Sequence, residues 1–296
     1  MTSAPAAAGY GALLDALRGV GWPARLAVRG STPGTHRSRL VGVSPEFTEY
    51  RPYRQGDDPR RLDWKLLART DRAYLRITND RATLGTTIIV DASVSMAFPS
   101  DTWGKWVLAR ELAVGLAAVA HAGGDPVGAT AVVDARRVGL PPRTRRGVIG
   151  EIGRLLDGVR PAGQAPLAQA IAAAYRTPRM AIVSDLLGDA DAMLIAARAH
   201  VIAGGEVHVI HVVAREEADP PAAAILARDP EHDDIRRPLV DATRAEYLAA
   251  FSAWRSEQAR AWRAAAANYT AVVTGEAAAH AVRRVTEPPT AERSAR

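Results

Sequence analysis

The chain has 296 residues, 48% of them apolar and 24% charged, a balance that suits a soluble globular protein with a proper core and excludes a disordered chain. It contains no cysteine, which excludes disulfides, thiolate metal sites and a cysteine nucleophile. The net charge of +6 sits in one stretch: residues 25–81 carry 13 basic and 7 acidic side chains, whereas the remainder holds 25 of each sign.

No run approaches the ~18 apolar residues that a membrane helix needs. The best, Leu112 to Ala120, is bounded by Glu111 and His121. Met1 to Gly9 is Ala-rich but lacks the charged start and apolar centre of a signal peptide, so a cytoplasmic location is expected. Only Lys65 and Lys105 are lysines, against 36 arginines, which reads as a coding bias toward Arg, Ala, Gly and Pro.

Residues 10–19 suit a short helix with Leu13, Leu14 and Leu17 on one face. Residues 25–81 are rich in Arg, Asp, aromatic residues and Gly. The alternation of Phe47, Glu49, Arg51 and Tyr53 suggests strands or a hairpin. Gly56-Asp57-Asp58-Pro59 reads as a turn, with Asp58 capping a helix that starts at Pro59 and runs to about Ala68. This Arg-rich, β-containing segment is expected to pack against the domain that follows.

From residue 85 strands and helices alternate. Thr86 to Val90 is a continuous β-branched run, as in a strand buried on both faces. A helix over 103–121, a strand over 127–133 and an antiparallel neighbour over 136–140 follow. Helices over 145–156 and 166–175, a strand over 180–184, a helix over 190–202 and a buried strand over 207–213 come next. Residues 214–240 are polar and Pro-rich and read as an insertion. A long helix over 243–267, with Trp254 and Trp262 as core anchors, precedes a last strand over 269–273. The alternation implies an α/β fold, a mainly parallel sheet with helices on both faces. The expected division is 1–84, 85–275 and a tail over 276–296, with the last ten residues frayed.

The sharpest local feature is Asp91-Ala-Ser93-Val-Ser95-Met96, directly after the strand over 86–90. Ligands of open α/β sheets bind beyond the carboxyl ends of strands. One carboxylate and two hydroxyls at alternate positions make a hard oxygen set suited to Mg²⁺ or Mn²⁺. Val183-Ser184-Asp185 ends a second strand and would bring Asp185 to the same rim. The plainer reading is a Ser-rich turn that caps the next helix.

Residues 86–96 resemble the first strand and metal loop of von Willebrand factor A domains. Ser38-Arg39, Gly42, Ser44, Glu46-Phe47, Tyr50-Arg51, Tyr53, Gly56-Asp57-Asp58, Arg60, Asp63-Trp64 and Ala68-Arg69 resemble the pattern of the domain-of-unknown-function 58 family. The resemblance covers residues 30 to about 215. It implies a von Willebrand factor A-like, doubly wound sheet and a metal-ion-dependent adhesion site (MIDAS) at Asp91, Ser93, Ser95 and Asp185. It also implies a non-enzymatic adaptor role with a MoxR-type AAA+ ATPase or with another protein ligand that bears an acidic residue. Similar proteins commonly carry two N-terminal membrane helices that this sequence lacks.

The middle loop departs from the family. Where similar proteins read roughly Gly-Gly-Thr-Asp-Leu, this chain has Gly163-Gln164-Ala165-Pro166-Leu167. Ala165 replaces a liganding Thr, which predicts weak metal binding, with Gln164 the one substitute oxygen in the loop. Two alternatives stand beside the adaptor. A haloacid-dehalogenase-like phosphohydrolase would use Asp91, with Asp185 and Asp189 after another strand, yet Ser93 stands where it needs an acid. Lys105 is the α/β region's only lysine. A nucleic-acid-binding protein would use the basic 25–81 segment, though Asp57, Asp58 and Asp63 intermingle with Arg51, Arg54, Arg60 and Arg61, which favours mutual pairing. His208 and His211, three apart on a strand, fall on opposite faces.

Overall fold

A computed structural model of the chain describes residues 9–25, 33–37, 47–55, 57, 62–78, 81–221, 226–228, 236–238 and 241–287. These form two compact units, one from residues 1–23 with 85–296 and the other from 24–84. The first element, α1 (Gly11–Ala16), thus belongs with the α/β unit rather than with the basic segment that follows it.

The smaller unit holds β1 (Pro33–Arg37), β2 (Phe47–Pro52), α2 (Trp64–Thr70), β3 (Tyr74–Thr78) and β4 (Arg81–Ala82). The strand over 47–52 pairs antiparallel with β3, across α2, so it is not half of a tight hairpin; β1 pairs with β4 in the same sense. The helix expected from Pro59 starts instead at Trp64. Asp63 caps it, accepting from the amides of Lys65 and Leu66 at 3.0 and 2.9 Å, because Leu62 is held in an isolated bridge to Leu75. Such a cap is worth about 1 kcal/mol. Gly56, Asp58, Pro59, Arg60 and Arg61 lie outside the described residues.

The larger unit is built on β5 (Thr86–Asp91), followed by a 3₁₀ turn over Val94–Ala97 and α3 (Gly104–Ala122). Then come β6 (Val127–Val133), β7 (Arg136–Arg143), α4 (Val148–Asp157), α5 (Leu167–Ala173), β8 (Arg179–Ser184), α6 (Ala190–Ile202) and β9 (Glu206–Val213). The polar stretch after β9 forms α7 (Arg215–Ala218) and a ribbon of β10 (Leu226–Arg228) with β11 (Arg236–Pro238). The chain closes with α8 (Asp241–Ala264), β12 (Asn268–Val273) and α9 (Ala278–Thr286).

Among the described residues six strands form one sheet in the order β12-β9-β8-β5-β6-β7, parallel except for β7. This is the expected doubly wound α/β architecture. Side chains of the buried strands alternate between two apolar layers. Ile88, Val90, Val183 and Val212 face α3, α4 and α9; Ile89, Ile182 and Val209 face the layer of Ile171, Met193 and Trp262. Thirteen of the 19 residues of α3 are buried, so it is enclosed by other elements on nearly all sides, as an almost wholly apolar helix must be. Gly115 permits this: a Cβ there would meet Val282 Cγ2 at 2.9 Å and Leu17 Cδ1 at 3.1 Å.

The segment expected as a tail contains a packed helix. Ala278, Ala281, Val282 and Val285 bury one face of α9 at helical spacing. Residues 288–296 lie outside the described residues. No helix among the described residues is long and apolar enough to cross a membrane.

Candidate functional site

The loop after β5 leads to α3 on one face of the sheet, and the loop after the adjacent, parallel β8 leads to α6 on the other. Neighbouring loops that diverge to opposite faces leave a crevice beyond the strand ends, the position where open α/β sheets bind ligands. The ends of those two strands carry Asp91 and Ser184-Asp185.

Asp91, Ser93, Ser95, Ser184 and Asp185 are all buried. Asp91 Oδ1 accepts from the amide of Ser93 at 2.9 Å, and Asp91 Oδ2 accepts from the Ser184 hydroxyl at 2.5 Å. The Ser184 oxygen in turn accepts from the Leu186 amide at 3.0 Å. Ser93 Oγ and Ser95 Oγ lie 3.0 Å apart. Ligands about 2.0–2.1 Å from an octahedral Mg²⁺, at right angles to each other, are separated by about 2.9 Å. The two hydroxyls therefore have the spacing of neighbouring ligands of one small cation. Burial, reinforced by the nearby charge of Asp185, pushes the Asp91 carboxyl up to about 7. A cation at this point would relieve that strain. Asp91, Ser93 and Ser95 fit a hard divalent ion that keeps several waters. Among the described residues no group of three or more histidine, aspartate or glutamate side chains could hold a metal ion, so the serine hydroxyls are essential to such a site.

Asp185 comes to the same rim but with a partner the sequence did not announce. Lys105, in the first turn of α3 and fully buried, places its ammonium 2.7 Å from Asp185 Oδ2 and 2.7 Å from Glu217 Oε1 on α7. The other Asp185 oxygen accepts from the Leu187 amide at 3.2 Å. Lys105 loses hydration, but the two carboxylates outweigh that and hold its pKa above the ordinary lysine value. Its one sequence signal is that a lysine opens a largely apolar helix in a chain whose other cations are nearly all arginine. Glu217 carries no such signal, since it lies in the stretch read as an insertion.

The middle loop does reach the site. Val94 N donates to Gly163 O at 2.9 Å and Ala162 N to Ala92 O at 3.0 Å. Gly163, at φ +55°, is required here, because a Cβ would lie 2.6 Å from Asp134 Oδ1. Gln164 is exposed, and its carbonyl accepts from Ala135 N at 3.0 Å. Ala165 is half-buried against the apolar layer of Leu167 and Ile171.

His208 and His211 are both buried, on opposite faces. His208 meets the Trp22 ring and Glu206; His211 meets Tyr269 and Trp254, and burial lowers its pKa to about 4. Trp262 is wholly buried and Trp254 partly so, on the same side of the sheet. In the basic segment Arg51 donates to Asp57 Oδ1 at 2.7 Å, and Asp57 Oδ2 accepts from the Arg54 amide. Asp57 thus pairs with its arginine neighbours, whereas Asp63 accepts from the Tyr50 hydroxyl at 2.8 Å and caps α2.

Residues 49–258 match a family model described as "Protein of unknown function DUF58". Uncharacterized proteins of Mycobacterium tuberculosis and Mycobacterium bovis are 31% identical to this chain over 264 residues, covering 85% of it and 81% of each relative. Among solved structures, BatB from Bacteroides thetaiotaomicron is 20% identical, covers 68% of this chain and 96% of its own, and has a TM-score of 0.44. A von Willebrand factor type A protein from Catenulispora acidiphila is 12% identical, with 70% and 42% covered and a TM-score of 0.40. The matched model spans well over half of the chain and takes in the loops of Asp91 and Asp185 together with Lys105 and Glu217, so this chain belongs to the DUF58 family.

Proposed function

We propose that this protein is a non-enzymatic interaction module that docks protein partners at the carboxyl-end rim of its sheet, through a divalent ion held by Asp91, Ser93 and Ser95. The observation that carries this reading is the buried pair of hydroxyls at 3.0 Å beside the Asp91 carboxylate. Mg²⁺ or Mn²⁺ there would offer an open coordination position to a carboxylate from the partner. Phe98 and Leu187, both exposed, flank the site through Lys105 and Asp185 and supply the apolar contacts that protein interfaces concentrate around a polar centre. Asp185 contributes through a bridging water or its remaining lone pairs, because Lys105 already holds one of its oxygens. The family resemblance points to a MoxR-type AAA+ ATPase as the partner, and a cytoplasmic location goes with that role.

Co-purification with and without EDTA tests the reading. Capture of the ATPase should be lost with EDTA and in Asp91→Ala. Equal capture in all three conditions would sink the metal-bridged docking.

A phosphohydrolase centred on Asp91 gains a lysine from this geometry, since Lys105 lies against Asp185. Ser93 still stands where that chemistry needs a general acid, and two carboxylates occupy the ammonium. For nucleic acid, the Arg51–Asp57 pair supports the structural reading of the basic segment.

A further inference from the structure

We infer that Lys105 is the resident counter-cation of this site: its ammonium ties Asp185 to Glu217 in the ion-free protein, and a divalent ion that takes Asp185 as a ligand weakens that tie and loosens the α7 segment. This rests on the reading that Asp91, Ser93 and Ser95 hold the ion.

An ammonium is a compact charge with three donors. Two of those of Lys105 go to Asp185 and Glu217, and its third side is turned toward the Phe98 ring, whose centre is 5.7 Å away. Charges that share one buried carboxylate compete for it, and the low local dielectric sharpens the competition. Lys105 and an ion bound beside Asp91 would meet at Asp185. A guanidinium would bridge two carboxylates with its rigid fork and be hard to displace, whereas a lysine on a flexible stem can withdraw. That difference gives a lysine a purpose here in a chain whose other cations are nearly all arginine.

Glu217 connects the pair to more of the fold. Its Oε2 accepts from the Ala214 amide at 2.8 Å at the end of β9, and its carbonyl accepts from the Tyr247 hydroxyl of α8 at 2.8 Å. One residue thus links the site to the start of α7 through its side chain and to the long helix through its main chain. Weakening the grip of Lys105 on Asp185 would loosen this junction, so the ion's arrival would be felt at the start of α7 and on α8.

The test uses the full chain and Mn²⁺ as the probe. Lys105→Met should bind Mn²⁺ at least tenfold tighter than wild type by calorimetry, while Lys105→Arg should bind no tighter. Mn²⁺ should raise amide exchange across residues 214–218 in wild type, whereas in Lys105→Met exchange there should be high with or without the ion. If Lys105→Met does not fold, Lys105→Met with Glu217→Gln removes the cation together with one of its carboxylates and is read the same way. Wild type that binds Mn²⁺ while folded Lys105→Met, or its double variant with Glu217→Gln, binds it no tighter overturns the inference alone. No binding by either protein at millimolar Mn²⁺ overturns the metal-site reading and the inference with it.

Discussion

The two ends of the sheet each bury a cation among carboxylates, and they do so in different ways. At the amino end, Arg179 opens β8 with its guanidinium 4.3 Å from the centre of the Trp22 ring. It donates to the carbonyls of Trp22 and Pro23 at 3.1 and 3.0 Å and lies 3.7 Å from both Asp125 and Glu206. At the carboxyl end, Lys105 meets two carboxylates, while among the described residues Asp91 has hydroxyl and amide partners only. The arginine end satisfies its carboxylates within the fold and binds residues 22–23 to the sheet. Among the described residues, the lysine end leaves the Asp91 carboxylate without a cation, beside two hydroxyls at the end of β5. Similar ingredients build a clamp at one end and the proposed ion site at the other.

The largest effect should come from breaking the clamp. Arg179→Ala leaves buried Asp125 and Glu206 without their cation, and removing one partner of a buried pair costs about 3–5 kcal/mol. Urea denaturation should show that loss, while Mn²⁺ binding by the folded fraction stays at the wild-type level. A loss below about 1 kcal/mol would mean that the two ends do not differ in this way.

The response to pH sharpens the contrast at the site itself. His211 is buried neutral, with its pKa lowered to about 4 from an unfolded value of about 6.5. Its contribution is fully present above the unfolded value and is lost as pH falls toward 4, amounting to about 3 kcal/mol. Asp91 has the opposite sign. Its folded pKa of about 7 exceeds the ordinary 3.8, so its contribution is present at low pH and is lost as pH rises through 7. In EDTA, Asp91→Asn should therefore gain stability relative to wild type between pH 5 and pH 8. Relative to His211→Gln, wild type should weaken between pH 6.5 and pH 4. Thermal melts across that range check both slopes, and a divalent ion should abolish the first.

The smallest effect concerns the middle loop. Ala165→Thr restores a hydroxyl beside the Asp91 loop and should tighten Mg²⁺ by about 1 kcal/mol, the contribution of an ordinary hydrogen bond. Because Ala165 is half-buried against an apolar layer, the hydroxyl must turn away from it toward the site. If calorimetry shows no change, Pro166 at the start of α5 is holding the loop back, and Pro166→Asp added to Ala165→Thr should recover the gain.

The basic segment shows where local patterns mislead. Asp63 caps the helix that follows, because a bridge to Leu75 holds Leu62, the residue just before the cap. That bridge joins residues 13 apart, and no turn pattern near Pro59 reveals it. The helix over 278–286 is, by contrast, written locally: Ala278, Ala281, Val282 and Val285 recur at helical spacing, and that face packs in the layer of α3.

The sequence alone determined the order of strands and helices in the α/β unit and the position of Asp91, Ser93 and Ser95 after the first buried strand. These follow from periodicity and from the chemistry of neighbouring residues, which act over a few positions. The tertiary structure alone decided that Lys105 meets Asp185, 80 residues away, and Glu217, 112 residues away. Partners so distant are chosen by strand order and by which face each loop leaves from, and neither is written in any local window. The result is that, among the described residues, Asp91 stands at the rim without a cation while Asp185 already has one.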